Sequence, residues 1–415
     1  MLKDHLEYYY QLNLYSTLQK MYQTIILGSL LLVSLYILKR VREPKKNMPP
    51  LVRYKFPIIG HTYSYLFNCE EFLKQCKAEY GDIFSLYVWG QVKTIVGKEY
   101  SQEILSRDDA FSFAVAFNRR FPGGELLKNL ELSLPLLQIF FSVRRNIRIY
   151  NPALKHQDIL IKHINNQVCK RLQEKDKYGD SWKRPDDFLQ DIMELDGFDS
   201  NNVNCSSLAD KICALLFASI HTTASGCANV FMDLASRPQY MQELYEEQLE
   251  VHKEADENGV LPFEALNNMK KLDSFVRESF RLSGHIVSLE HVVLKDYTFS
   301  NGLQVPKDRI VNIYAEDVYQ DESLQGPNPK SFEPFRHVDV NASAAKIGKN
   351  YLSFGGGKHA CPGRYFAINE IKFFMHNMIL NYNFRTASGK IEKRRMIGPM
   401  ALPSSGGIII EKRVK

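Results

Sequence analysis

Phe354-Gly-Gly-Gly-Lys-His-Ala-Cys361-Pro-Gly363 constrains this chain more than any other segment. Consecutive glycines let the backbone turn tightly and let a bulky group come close to it. The residues after the loop, Arg364 to Leu380, predict a helix. Cys361 therefore lies just ahead of a helix N-terminus, where unpaired N–H groups and the helix dipole favour a thiolate. A thiolate held against a flat, glycine-lined face suits ligation of haem iron. An isolated cysteine in a glycine-rich turn is more often incidental. What carries the reading is the full spacing Phe-x-x-Gly-x-x-x-Cys-x-Gly, which sets Phe354, Gly357, Cys361 and Gly363 in fixed register.

The other cysteines limit the alternatives. Seven in all is an odd number, and no two form a C-x-x-C pair, which argues against a disulfide framework or a zinc site. A reducing, cytosol-facing environment fits better, so the sequons at Asn204 and Asn341 are expected to stay unglycosylated. With 415 residues, 45% of them hydrophobic, the chain can bury a large core in one or two domains. The net charge of +6 is too mild to suggest a nucleic-acid partner.

Met21 to Leu38 carries no charge and reaches the ~18-residue minimum for a spanning helix. Lys39, Arg40, Arg42, Lys45 and Lys46 follow it against the single acid Glu43, which puts the C-terminal flank in the cytosol. A cleaved signal peptide would want its positive charge ahead of the apolar run. The expected organisation is a short lumenal segment over 1–20, an uncleaved anchor over 21–38, a basic and Pro-rich linker over 39–57, and a globular domain over 58–415. In a eukaryotic cell this is a single-pass endoplasmic reticulum protein with its domain facing the cytosol.

Within the domain, Glu70 to Tyr80 predicts an amphipathic helix stopped by Gly81, and Ile83 to Val96 a hairpin around Gly90. Helices are predicted over Leu154–Lys175, Phe188–Met193, Ser207–Ser236, Gln239–Ala255 and Leu272–Leu282. Ile286 to Ile313 has strand character with a turn at Ser300-Asn-Gly302, and Met396 to Arg413 predicts a hairpin around Ser404–Gly407. The fold class is mainly α with small β-sheets.

Three further motifs accompany the cysteine loop. Glu278 and Arg281 lie three apart on one helix face, and Phe332-Glu-Pro-Phe-Arg336 follows. The long apolar helix carries Ala218-Ser-Ile-His221-Thr222-Thr223. Together with the cysteine loop these resemble the cytochrome P-450 family of haem-thiolate monooxygenases, and the run from Gly357 to Lys372 is most similar to its filamentous-fungal members. The resemblance implies the family's fold, haem b on Cys361, and a buried structural triad of Glu278, Arg281 and Arg336. Thr222 matches the family's helix threonine, whose hydroxyl loosens the helix ladder and relays protons toward dioxygen. His221 stands where an acid is usual and can also pass protons near neutral pH. Ser219 replaces a glycine. Lys358, His359 and His291 stand where the family holds the haem propionates, His291 and Lys358 each replacing an arginine.

The implied reaction is oxidation of a hydrophobic small molecule, terpenoid-like, in fungal secondary metabolism. Dioxygen is the co-substrate. No G-x-G-x-x-G follows a strand, so electrons come from a separate NADPH-dependent reductase. A haem-thiolate isomerase or dehydratase, and an inactive shortened relic, are the competing readings. The resemblance also implies a gap. Arg120-Phe-Pro-Gly-Gly-Glu-Leu-Leu127 reads like the end of a substrate loop, while Leu134 onward already reads like a late helix. The helices between about 121 and 134, with a Trp-x-x-x-Arg contact to a propionate, are expected to be missing, so the fold is incomplete in its N-terminal third.

Overall fold

A computed structural model describes residues 27–31, 34, 47–120, 153–195, 203–288, 290–340 and 342–414. Most of the anchor expected over 21–38, the junction at 121–134 and the sequon at Asn341 lie outside the described residues. Residues 27–31 and 34 are helical and exposed. They belong to a separate unit, Met1–Met48.

Within Pro49–Lys415 the chain opens on two short helices, α1 (Thr62–Phe67) and α2 (Cys69–Tyr80), the latter ended by Gly81 at φ 85° as the sequence predicts. The hairpin expected around Gly90 is β1 (Ile83–Val88) and β2 (Gln91–Val96). Trp89 and Gly90 both take positive φ, 54° and 75°, the left-handed pair that lets a two-residue turn follow the strand twist. Then come α3 (Lys98–Ser106), β3 (Phe111–Ser112), α4 (Phe113–Arg120), α5 (Ala153–Tyr178) and α6 (Phe188–Met193). Asp187 caps α6 by accepting from the Gln190 amide.

The long apolar helix is α7 (Cys205–Ala235), capped by the Asn204 side chain, which accepts from Ser207 N at 3.0 Å. By length and composition it could cross a membrane. It instead packs against α5 and, farther along the chain, against α8 (Met241–His252), α9 (Lys270–Leu282) and α12 (Arg364–Asn381). Between α9 and α12 lie β4 (His291–Val293), β5 (Tyr297–Thr298), β6 (Gln304–Val305), β7 (Ile310–Ile313), α10 (Ala315–Tyr319) and α11 (Glu322–Gln325). The chain ends with β8 (Tyr382–Thr386), β9 (Arg395–Ile397), β10 (Met400–Leu402) and β11 (Ile408–Lys412).

β1-β2-β7-β4-β3 form the main sheet, with β2 and β7 parallel and the other pairs antiparallel. The C-terminal hairpin differs from the predicted one. Gly398, at φ 57°, turns β9 onto β10, and β11 pairs with β8 rather than across Ser404–Gly407. Local turn residues could not reveal that β11 finds its partner some twenty residues upstream. One core cluster joins the inner faces of α7, α8, α9 and α12, and two others cover the two faces of the sheet.

Candidate functional site

The cysteine loop is fixed at several points before any cofactor is considered. Gly357 sits at φ 60°, and a Cβ there would fall 2.0 Å from the Leu105 carbonyl oxygen at the end of α3, so only glycine fits. Cys361 N donates to Phe354 O at 2.8 Å, and Arg364 Nη1 donates to Cys361 O at 2.8 Å. The backbone is thus tied on both sides, while the half-buried thiol makes no hydrogen bond among the described residues. Gly363 leaves open space beside it. Phe354 anchors the loop by packing its ring 5.8 Å from Phe280 of α9.

Phe280 also brings α7 to the same place. A Cβ on Gly226 of α7 would meet the Phe280 ring at 2.6 Å and Ile371 of α12 at 3.4 Å, so the three helices meet where α7 has no side chain. One turn earlier lies the threonine motif. Thr222 is exposed and its hydroxyl donates to the Ala218 carbonyl. This uses the proton of the hydroxyl and leaves its lone pairs to accept. His221 is exposed too, its ring edge-on to Phe217 at 5.4 Å. Neighbouring positions on a helix point apart, and no hydrogen bond joins His221 to Thr222. The buried threonine is Thr223, 8% exposed, which the sequence reading passed over.

This part of α7 is open to an unusual degree for an apolar helix. Leu215, Leu216, Phe217 and Ile220 are all exposed, and Phe366, Phe373 and Phe374 of α12 are exposed as well. A thiol without a hydrogen bond among the described residues, on a pinned backbone with glycine-lined space beside it, fits a large flat group held through sulfur.

The expected propionate partners are dispersed. Lys358 Nζ lies 3.2 Å from Asp108 Oδ2, and His359 Nε2 3.9 Å from Asp108 Oδ1. Both side chains therefore face a carboxylate of the protein, which nothing in the sequence pattern singled out. His291 is buried in β4, its ring 6.3 Å from Phe113.

Glu278, Arg281 and Arg336 come together. Arg281 is bidentate on Glu278, with Nε to Oε2 and Nη2 to Oε1 both at 2.8 Å and both side chains fully buried. Arg336 Nε approaches Glu278 Oε1 at 3.5 Å. The arginines also tie down the segment from Tyr319 to Pro329. Arg281 Nη1 donates to the carbonyls of Tyr319 and Pro329, and Arg336 to those of Gln325, Pro327 and Asn328. His337 is a fourth member, its Nε2 3.5 Å from Glu278 Oε2. Burial pushes the Glu278 carboxyl up, but Arg281 and His337 outweigh it and hold it at about 2. A second buried knot was not foreseen. Asp233 accepts from Ser279 Oγ at 2.6 Å, Arg237 at 2.9 Å and Arg394 at 2.5 Å, joining α7 and α9 to the approach to β9. Asp233 and Arg237 are an (i, i+4) pair, but Ser279 and Arg394 are too far away in sequence for spacing to betray them.

Comparison with known proteins agrees with this geometry. The family model described as Cytochrome P450 matches residues 123–410. Cytochrome P450 monooxygenase 71 of Postia placenta is 32% identical over 300 residues, covering 66% of this chain and 58% of the relative. Cytochrome P450 monooxygenase AN1598 of Emericella nidulans is 30% identical, covering 67% of this chain and 51% of the relative. Cytochrome P450 monooxygenase olcJ of Penicillium canescens is 30% identical over 61% of this chain. The chain thus spans about half the length of the curated relatives it matches. Among solved structures, retinoic acid bound cyanobacterial CYP120A1 is similar over 89% of this chain and 100% of its own, with a TM-score of 0.64 at 16% identity, a likeness of fold alone.

Proposed function

The chain belongs to the cytochrome P450 family, and we propose that it is a membrane-anchored, haem-dependent monooxygenase acting on a hydrophobic small molecule of fungal secondary metabolism. The observation that carries this is the Cys361 thiol, unpartnered on a backbone held from both sides. The family's cofactor is haem b on a cysteine thiolate. When bound, it supplies the redox chemistry that splits dioxygen and transfers one oxygen atom to substrate.

The residues of this chain divide the remaining work. Cys361 would hold the haem through its sulfur, with Phe354, Gly357 and Gly363 shaping the loop around it. Lys358 and His359, which lie beside Asp108, would hold the propionates. His291 is a weaker third partner from the sheet. Thr222 Oγ1 holds and passes protons through water, accepting on the lone pairs that the bond to Ala218 leaves free. His221, which does not touch it, is the second member of the proposed relay. The exposed apolar stretch of α7 suits a greasy substrate, with a terpenoid as the first guess. Electrons come from an NADPH-dependent reductase.

Thr222→Ala tests the relay. Reductant and dioxygen should still be consumed, with peroxide released and product falling about 10–100-fold, within the range of a general acid–base contribution. Unchanged coupling between reductant and product would assign the relay to His221 or water alone.

Anchoring rests on the uncharged run from Met21 to Leu38 and the basic residues after it. The compartment is the endoplasmic reticulum with the domain facing the cytosol. Removal of residues 1–46 should shift the protein from the membrane pellet to the supernatant with haem content unchanged. Quantitative pelleting of the shortened protein would point to a second membrane surface. The sequence alone carries the reading that helices are missing between about 121 and 134. Sequencing the transcript across this junction distinguishes a lost coding segment from a real short variant.

A further inference from the structure

Away from the cysteine loop, two histidines from different helices face each other. His376 of α12 is only 2% exposed, and His252 ends α8 at the surface. Their nearest nitrogens, His376 Nε2 and His252 Nδ1, are 3.3 Å apart. Two nitrogens bound at ~2.0–2.1 Å to a tetrahedral zinc lie about 3.3–3.4 Å apart. The pair forms a hydrogen bond at this separation, and the same separation fits two nitrogens on one metal ion.

The surroundings select which nitrogen of His376 is free. Glu247 accepts from the backbone amides of Lys271 and Leu272 at 2.5 and 2.9 Å, fixing its carboxylate at the start of α9. Its Oε2 also accepts from Gln248 Nε2 at 2.9 Å, which turns Gln248 Oε1 toward His376 Nδ1 at 2.8 Å. Nδ1 must then carry the proton, leaving the Nε2 lone pair aimed at His252. A carboxylate, an amide and an imidazole in series form the outer support typical of a metal-bound histidine.

We propose that His252 and His376 form a two-imidazole site for zinc or a similar divalent transition metal, clamping α8 to α12. No group of three or more His, Cys, Asp or Glu side chains surrounds it among the described residues, so water completes the coordination through the exposed side of His252. Imidazole pairs suit zinc, copper and nickel. Because α12 begins three residues after Cys361, the clamp would stiffen the helix that carries the cysteine loop.

The test is titration of the full chain with zinc chloride, followed by calorimetry and by the thermal midpoint. Zinc should bind the wild type at this site and raise its midpoint, since a ligand of the folded state alone stabilises it. His252→Ala alters an exposed side chain and should fold as the wild type does. It should weaken this binding event by at least the ~10–100-fold that loss of an outer partner costs, and abolish the midpoint rise. Gln248→Met, which removes the support but neither ligand, should weaken binding less than His252→Ala. A wild type with no zinc response would mean that the two rings merely share a proton. An equal response in His252→Ala would place the zinc elsewhere on the chain. Either result overturns the proposal.

Discussion

Cys361→Ser should eliminate the thiolate-type spectrum of the reduced protein with carbon monoxide and product formation with it, while leaving the fold near wild-type stability. The loss should be complete because Cys361 is the one cysteine in a glycine-lined turn ahead of a helix. Cys69, Cys76 and Cys227 are pushed up to about 12 by burial and so remain thiols. Burial raises Cys205 and Cys213 as well. The fold should persist because the bonds that hold the loop, Cys361 N to Phe354 O and Arg364 to Cys361 O, are made by backbone atoms that serine retains. Circular dichroism alongside the carbon monoxide spectrum checks both halves. A serine variant that keeps the thiolate spectrum would mean that the ligand lies elsewhere.

Arg281→Ala should cost about 3–5 kcal/mol, the range for breaking a buried pair and leaving one charge uncompensated. Against a total stability of ~5–15 kcal/mol this leaves a marginal protein. The cost has two parts: the stranded Glu278 carboxylate, and the carbonyls of Tyr319 and Pro329 that lose their donor. The pH dependence separates them. Glu278 is held at about 2 in the folded wild type against an ordinary 4.5. Its contribution is therefore fully present above about 4.5 and is lost as pH falls through about 2. In the variant the buried carboxyl takes up a proton at higher pH, so the deficit against wild type should narrow on acidification. Denaturant unfolding at neutral and acid pH measures this. A deficit below 1 kcal/mol at neutral pH would contradict a buried structural triad.

The helices were readable where burial follows one face. α6 has the limits expected, α2 and α9 lie within two residues of theirs, and the β1–β2 turn was marked by Gly90. α8 stops at His252 rather than Ala255, and its first residues form a separate turn led by Pro238. The site was readable where chemistry is local. The glycines of the cysteine loop and the (i, i+3) spacing of Glu278 and Arg281 each follow from a steric or helical rule. What stayed hidden depends on long-range pairing. Asp108 meets Lys358 across some 250 residues, β11 selects β8, and Asp233 gathers Arg394 from the far end of the chain. The exposure of Thr222 against the burial of Thr223 was equally invisible, since two adjacent threonines share one composition and differ only in the direction of their side chains.

The central claim is that this chain, though it spans about half the length of its curated relatives, assembles a haem-thiolate centre on Cys361. The most direct measurement is the difference spectrum of the purified, reduced 415-residue protein with carbon monoxide, taken with its haem stoichiometry. The account predicts a Soret band at the long-wavelength position typical of thiolate ligation, with haem bound by the full chain. A protein that folds but shows no haem band, or a band only at the unshifted position, would contradict it.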